Sequence, residues 1–170
     1  MPARTVKGDH GKLHFQVSYQ GTSETFVAEQ VVGAFINKLR NIIQINKLAD
    51  NEAVLSVPSY YTQIERKALL DAAKIAQLQV TRLLNESTAV ALDYGIFRKN
   101  DLDPKVPKNV LFIDFGHSKL STFAYSFTKE KMTELAQHHE RNLGCRDIDY
   151  LLLQFYKNVF EKSSGGLDIF

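Results

Sequence analysis

Three short apolar runs constrain the fold of this chain most. Ala53–Val57, Val80–Leu84 and Val110–Phe115 have strand length, and stretches with a helical hydrophobic period separate them. Val31, Val32, Phe35, Ile36, Leu39, Ile42 and Ile43 recur at three- and four-residue spacing and predict a helix over residues 29–47. Thr62-Gln63-Ile64-Glu65 reads as a capping box, with hydroxyl and carboxylate each serving the other residue's amide. The helix it opens runs to Ala76 and carries Leu69, Ala72, Ala73 and Ala76 as a small-residue face. A third helix is expected over residues 86–94, with Gly95 as a left-handed cap. Helices alternating with buried strands imply an α/β fold with a mixed sheet.

Strands are expected at both ends of this alternation. Lys12–Tyr19 places Leu13, Phe15, Val17 and Tyr19 on one side, and after the Gln20-Gly21 turn Thr25–Val27 returns. Leu120–Phe127 and Met132–His138 extend Val110–Phe115 into a meander, with turns at Gly116–Lys119 and Lys129-Glu130. A last helix begins near Asp147 and ends at Ser163–Gly166. Met1–Gly11 reads as a loose leader. Lys99–Lys108, with Pro104 and Pro107, reads as a surface loop. Ile169-Phe170 reads as the start of an element that does not continue.

Composition excludes several function classes. Twenty-one Lys and Arg against nineteen Asp and Glu leave a net charge of +2, without the concentrated basic face of a nucleic-acid binder. No apolar run reaches the ~18–20 residues of a membrane span, and the first residues lack a signal-peptide core. The single cysteine, Cys145, precludes an internal disulfide and points to a reducing, cytoplasmic setting. At 44% apolar residues the chain can build a core.

Three places could carry chemistry. Val110–Phe115 delivers one carboxylate, Asp114, to the Gly116-His117-Ser118-Lys119 turn, whose amides could face phosphate while Asp114 holds magnesium through water. The alternative is a strand ending in a plain turn. Glu86 lies at the carboxyl end of a strand, where it could orient water, or it could simply complement a helix N-terminus. Gly144, before the last helix, could admit a phosphate or be an ordinary loop glycine. His138-His139 on opposite strand faces make a poor chelate, and a solvated pair is expected.

Taken together, Ser56-Val57-Pro58-Ser59-Tyr60-Tyr61, Asp71-Ala72-Ala73-Lys74-Ile75-Ala76, Leu83–Gly95 and Phe112–Ser118 resemble, in order and spacing, the nucleotide-binding domain of the seventy-kilodalton heat-shock chaperones. That resemblance implies an actin-like ATPase (ribonuclease H-like) fold. Asp114-Phe115-Gly116-His117-Ser118 and Arg146-Asp147-Ile148-Asp149 are similar to the large, hundred-and-ten-kilodalton branch. Its members act as nucleotide-exchange factors for smaller chaperones and hold unfolded clients.

By resemblance, Asp114 is the magnesium-side aspartate and Glu86 the glutamate that helps position water; these are the catalytic candidates. Gly116, His117, Ser118, Lys119 and Gly144 are the phosphate-side candidates, and the implied cofactor is ATP or ADP with magnesium. Lys119 stands where ATPase members carry a threonine, and Cys145 where a second glycine is usual. The family's first phosphate hairpin and the strand with its catalytic lysine have no counterpart here. Residues 12–98 match part of a first lobe, 99–108 a loop and 109–170 the start of a second lobe. The chain therefore reads as one piece of a nucleotide domain, with negligible ATPase activity of its own expected. Implied partners are a smaller heat-shock chaperone and unfolded clients, with no nucleic acid or membrane. A further reading is an inactive truncated fold that associates through an open strand edge.

Overall fold

A computed structural model describes residues 4–8, 13–46 and 51–164. The ends of the expected leader, Lys12, Lys47, the Gly165-Gly166 stop and Ile169-Phe170 lie outside the described residues. Two compact units divide the chain, residues 1–89 and 90–170.

The first unit opens with three antiparallel strands, β1 (Arg4–Lys7), β2 (Leu13–Tyr19) and β3 (Thr22–Val27), in that order. The expected leader is thus partly a strand, pairing Arg4 with Gln16 through Lys7 with Leu13. Its polar sequence hid it, because an edge strand need not bury its side chains. Gln20 and Gly21 both have positive φ, 51° and 83°, giving the two-residue turn whose twist suits a hairpin.

Helix α1 (Ala28–Ile45) follows, with the Gln30 side chain accepting the Val27 amide at 3.0 Å. β4 (Glu52–Val57) and β5 (Gln79–Asn85) pair in parallel across α2 (Gln63–Ile75), a β-α-β unit. The capping box forms. The Thr62 amide donates to the Glu65 carboxylate at 2.7 Å, while the return bond from the Glu65 amide to Thr62 Oγ1 is long at 3.4 Å. Ala72, Ala73 and Ala76 are buried and pack with Ile36 of α1. Gly33 completes this contact: a Cβ there would lie 3.0 Å from the Ala72 carbonyl oxygen.

Helix α2 ends in a Schellman motif. Gln77, at φ 55°, donates to Lys74 O and Leu78 donates to Ala73 O, both at 2.9 Å. Arg40 of α1 donates to Ala76 O at 2.7 Å, and Asn51 to Gln77 O at 2.6 Å. Long-range donors therefore cover the carbonyls at this helix end.

Helix α3 (Glu86–Phe97) leads into the second unit. It runs through Gly95 rather than ending there, which corrects the expected cap. A Cβ on Gly95 would meet the Phe127 ring at 3.3 Å, so this glycine makes room for an aromatic side chain. A 3-10 turn at Lys99–Asp101 opens the expected surface loop, in which Leu102 is nonetheless buried.

Strands β6 (Lys108–Phe115), β7 (Leu120–Phe127) and β8 (Met132–Glu140) form an antiparallel meander. Every second residue of β7 is buried, and Phe123, Tyr125 and Phe127 join Ala91 and Leu102 in the core. Phe112 stacks on Phe123 with centroids 5.2 Å apart, and Tyr94 meets Phe127 at 5.2 Å. Tyr125 satisfies its hydroxyl by donating to Glu134 at 2.6 Å. His138 is exposed as expected, but His139 is half-buried and its Nδ1 lies 3.2 Å from Ser121 Oγ. Helix α4 (Cys145–Ser163) starts two residues before the expected Asp147 and buries none of its side chains.

Candidate functional site

Asp114 sits next to the end of β6, paired with Ser121 of β7, and is exposed. The following hairpin is closed by Gly116 donating to Lys119 O at 2.9 Å. Within the turn, the His117 and Ser118 amides have no acceptor among the described residues. Two adjacent free N–H groups at a strand end can receive an anion.

The hairpin rests on the start of α4 through its backbone. The Cys145 amide donates to Gly116 O at 2.9 Å and the Arg146 amide to His117 O at 3.0 Å. These would otherwise be unpaired donors of the helix's first turn. Gly144 makes the seating possible. It is buried, and a Cβ on it would overlap the His117 carbonyl and lie 2.6 Å from the Ser118 nitrogen. Its φ of −157° is extended and open to any residue, so contact with the hairpin is what demands glycine. The Asp147 carboxylate accepts the Gly144 amide at 2.7 Å and fixes the entry to the helix. Cys145 Sγ lies 3.7 Å from Phe115 O.

The second unit thus gathers Asp114, Gly116, His117, Ser118, Lys119 and Gly144 into one strand–turn–helix element. Glu86 belongs to the first unit. It is half-buried at the first position of α3, at the carboxyl end of β5. An arginine orders the neighbouring chain. Arg66 of α2 donates from Nε to Tyr61 O at 3.0 Å and from Nη2 to Asn85 Oδ1 at 2.9 Å and Ser59 O at 3.3 Å. Ser87 is buried, with its Oγ 3.1 Å from Ser59 Oγ. The Val57–Tyr61 segment and the β5–α3 junction are thereby held together.

Sequence reasoning passed over Arg66, and it named Asp147 as a helix start and motif residue without its bond to Gly144. Asp147 had a signal, an acid three residues after a helix-start glycine. Arg66 had none, since its acceptors are two backbone carbonyls and an amide 19 residues away.

Alternating helices and strands with two antiparallel meanders make this part of a mixed α/β domain. The Hsp70 protein family matches residues 1–169. A 97 kDa heat shock protein of Strongylocentrotus purpuratus is 39% identical over 165 residues, covering 95% of this chain and 18% of its own length. Heat shock protein 110 of Caenorhabditis elegans is 36% identical over 174 residues, covering 99% of this chain and 22% of its own length. Heat shock 70 kDa protein 4L of Homo sapiens is 37% identical over 164 residues, covering 95% of this chain and 19% of its own length. The chain belongs to the Hsp70 family, and its fold is part of that family's actin-like ATPase nucleotide-binding domain. It spans less than a quarter of the length of these relatives. Among the described residues no helix is long and apolar enough to cross a membrane.

Proposed function

We propose that this chain supplies one phosphate-side hairpin of the nucleotide site of a cytoplasmic chaperone. The observation that carries this reading is the pair of amides at His117 and Ser118, without acceptors among the described residues, on the turn that follows Asp114. The amides would receive phosphate oxygens. Among the described residues no group of three or more side chains could hold a metal alone. A magnesium ion would therefore take the single Asp114 carboxylate together with water and nucleotide phosphates, a donor set that suits magnesium. Bound with the nucleotide, the ion would neutralise phosphate charge.

Hydrolysis is not assigned to the isolated chain. Phosphoryl transfer needs several groups positioned at once, and in this turn Lys119 stands where the family's ATPases carry a threonine. Glu86 would help position water only in the whole protein. ATPase turnover that Asp114→Asn abolishes would overturn this.

A second reading, a nucleotide-exchange cochaperone acting on a smaller chaperone, draws on the Gly-His-Ser-Lys turn and on the similarity to a protein named heat shock protein 110. In it, nucleotide stabilises a conformation rather than being turned over, and unfolded clients are held by the whole protein.

Thermal melting with and without magnesium-ADP and magnesium-ATP tests the site. Ligand at about 100 times its Kd stabilises the binding fold by about 2.7 kcal/mol. A shift that Asp114→Ala removes supports the phosphate hairpin. No shift at millimolar nucleotide refutes a usable site in this chain. Faster nucleotide release from a smaller chaperone would favour the second reading.

A further inference from the structure

A 290 Å³ cleft lies within the second unit, between the end of α3 and the β7–β8 turn. Leu92, Ile96, Phe127 and Met132 are its apolar lining residues, and the exposed Lys99, Lys129 and Lys131 line it as well. Glu130 is its one acidic lining residue.

Three carboxylates outside the lining are already engaged. Asp101 pairs with Arg98 at 3.4 Å. Asp103 accepts the Lys105 and Val106 amides at 2.7 and 2.8 Å. Glu134 accepts the Tyr125 hydroxyl. Among the described residues none of the three lysines has an ion-pair partner, so the cleft keeps an unbalanced positive charge over an apolar floor.

Three backbone donors of the β7–β8 turn are already engaged. The Thr128 amide donates to Lys131 O, the Lys129 amide to Asp103 O and the Lys131 amide to Thr128 Oγ1. Recognition here would rest on flexible ammonium groups spread over two elements, not on a nest of amides fitted to one phosphate. Separated point charges around an apolar hollow suit a chain carrying several carboxylates with an apolar side chain among them.

We infer that this cleft docks an acidic peptide segment of a partner protein, its apolar side chain on the Leu92–Ile96–Met132 wall and its carboxylates against Lys99, Lys129 and Lys131. Charge complementarity of this kind speeds association and weakens as salt rises.

The test is fluorescence anisotropy of the 170-residue chain with a fluorescein-labelled Glu-Asp-Leu-Asp-Glu peptide. Saturable binding that weakens with salt is expected. Combined Lys99→Glu, Lys129→Glu and Lys131→Glu changes should weaken it at least about tenfold, roughly 1.4 kcal/mol. All three side chains are exposed, so the melting curve should hold. Lys105→Glu, outside the cleft lining, should leave affinity unchanged, and replacing the peptide's leucine by serine should weaken binding. The inference fails if the peptide does not bind, if the triple variant binds equally, or if the serine peptide binds as well as the parent. It also fails if dodecanoate occupies the cleft while the peptide does not.

Discussion

Gly144→Ala should dislodge the Asp114 hairpin from helix α4. The added methyl group would overlap the His117 carbonyl and sit 2.6 Å from the Ser118 nitrogen, and both are backbone atoms that cannot rotate away. If the hairpin moves, the bonds from Cys145 and Arg146 are lost, at about 0.5–1.5 kcal/mol each. If it stays, overpacking costs about 1–3 kcal/mol. Removing a glycine from the unfolded chain returns about 0.4–1 kcal/mol. Extended φ at Gly144 adds no conformational penalty. The net loss is roughly 1.3 kcal/mol, which lowers Tm by about 3–5 °C for a chain of this size. Gly116→Ala is the internal control, since its Cβ would meet only Lys119 O, at an ordinary 3.6 Å. Thermal unfolding of the two variants measures the difference, and hydrogen exchange at the Cys145 and Arg146 amides locates it. Equal melting of Gly144→Ala and Gly116→Ala, with unchanged protection at those amides, would refute the seating argument.

Arg66→Ala should destabilise the chain by about 2–4 kcal/mol in urea unfolding, because charge-assisted bonds to Tyr61, Ser59 and Asn85 are lost together. Arg66→Lys should recover little of this, since an ammonium cannot reproduce the fork. Gln77→Gly should stabilise by up to about 1 kcal/mol, because a left-handed C-terminal position strains any residue with a Cβ; a lower urea midpoint would contradict this. The Val106 amide, and next the Lys105 amide, hold the Asp103 carboxyl below its ordinary 3.8, against a small opposing effect of burial. Its contribution to stability is therefore complete above the unfolded value and is lost as pH falls through the lower folded one. An NMR titration should place the Asp103 midpoint below that of an ordinary aspartate, and a midpoint at or above 3.8 would dismiss the bonds.

The legible parts of the fold were those decided by neighbours in sequence. The Thr62–Glu65 box, the Gln20-Gly21 turn and the alternation of β7 all depend on residues within a few positions of one another. Gly95 misled because glycine after a helical run suits a cap, whereas its actual constraint is the Phe127 ring 32 residues later. Leu102 sat unnoticed among charged and proline residues, yet it is core, because one apolar side chain in a polar loop leaves no period to detect. At the candidate site, the Asp114 strand and its turn were legible. The hairpin carbonyls meeting the α4 amides were not, since they join residues nearly thirty apart through backbone atoms alone.

Helix α4 joins a secure beginning to an unsecured length. Its first two amides are clamped by the hairpin and its entry is fixed by Asp147, but no side chain from Cys145 to Ser163 is buried, despite Leu151, Leu152, Phe155 and Phe160. A helix of this length without tertiary cover is marginal in water, and the costly step is making the first turn. The hairpin supplies that first turn ready-made. The remaining turns then behave like a zipper fastened at one end. Opening starts at Ser163 and runs back toward Cys145, and each turn nearer the hairpin is populated for a larger share of the time.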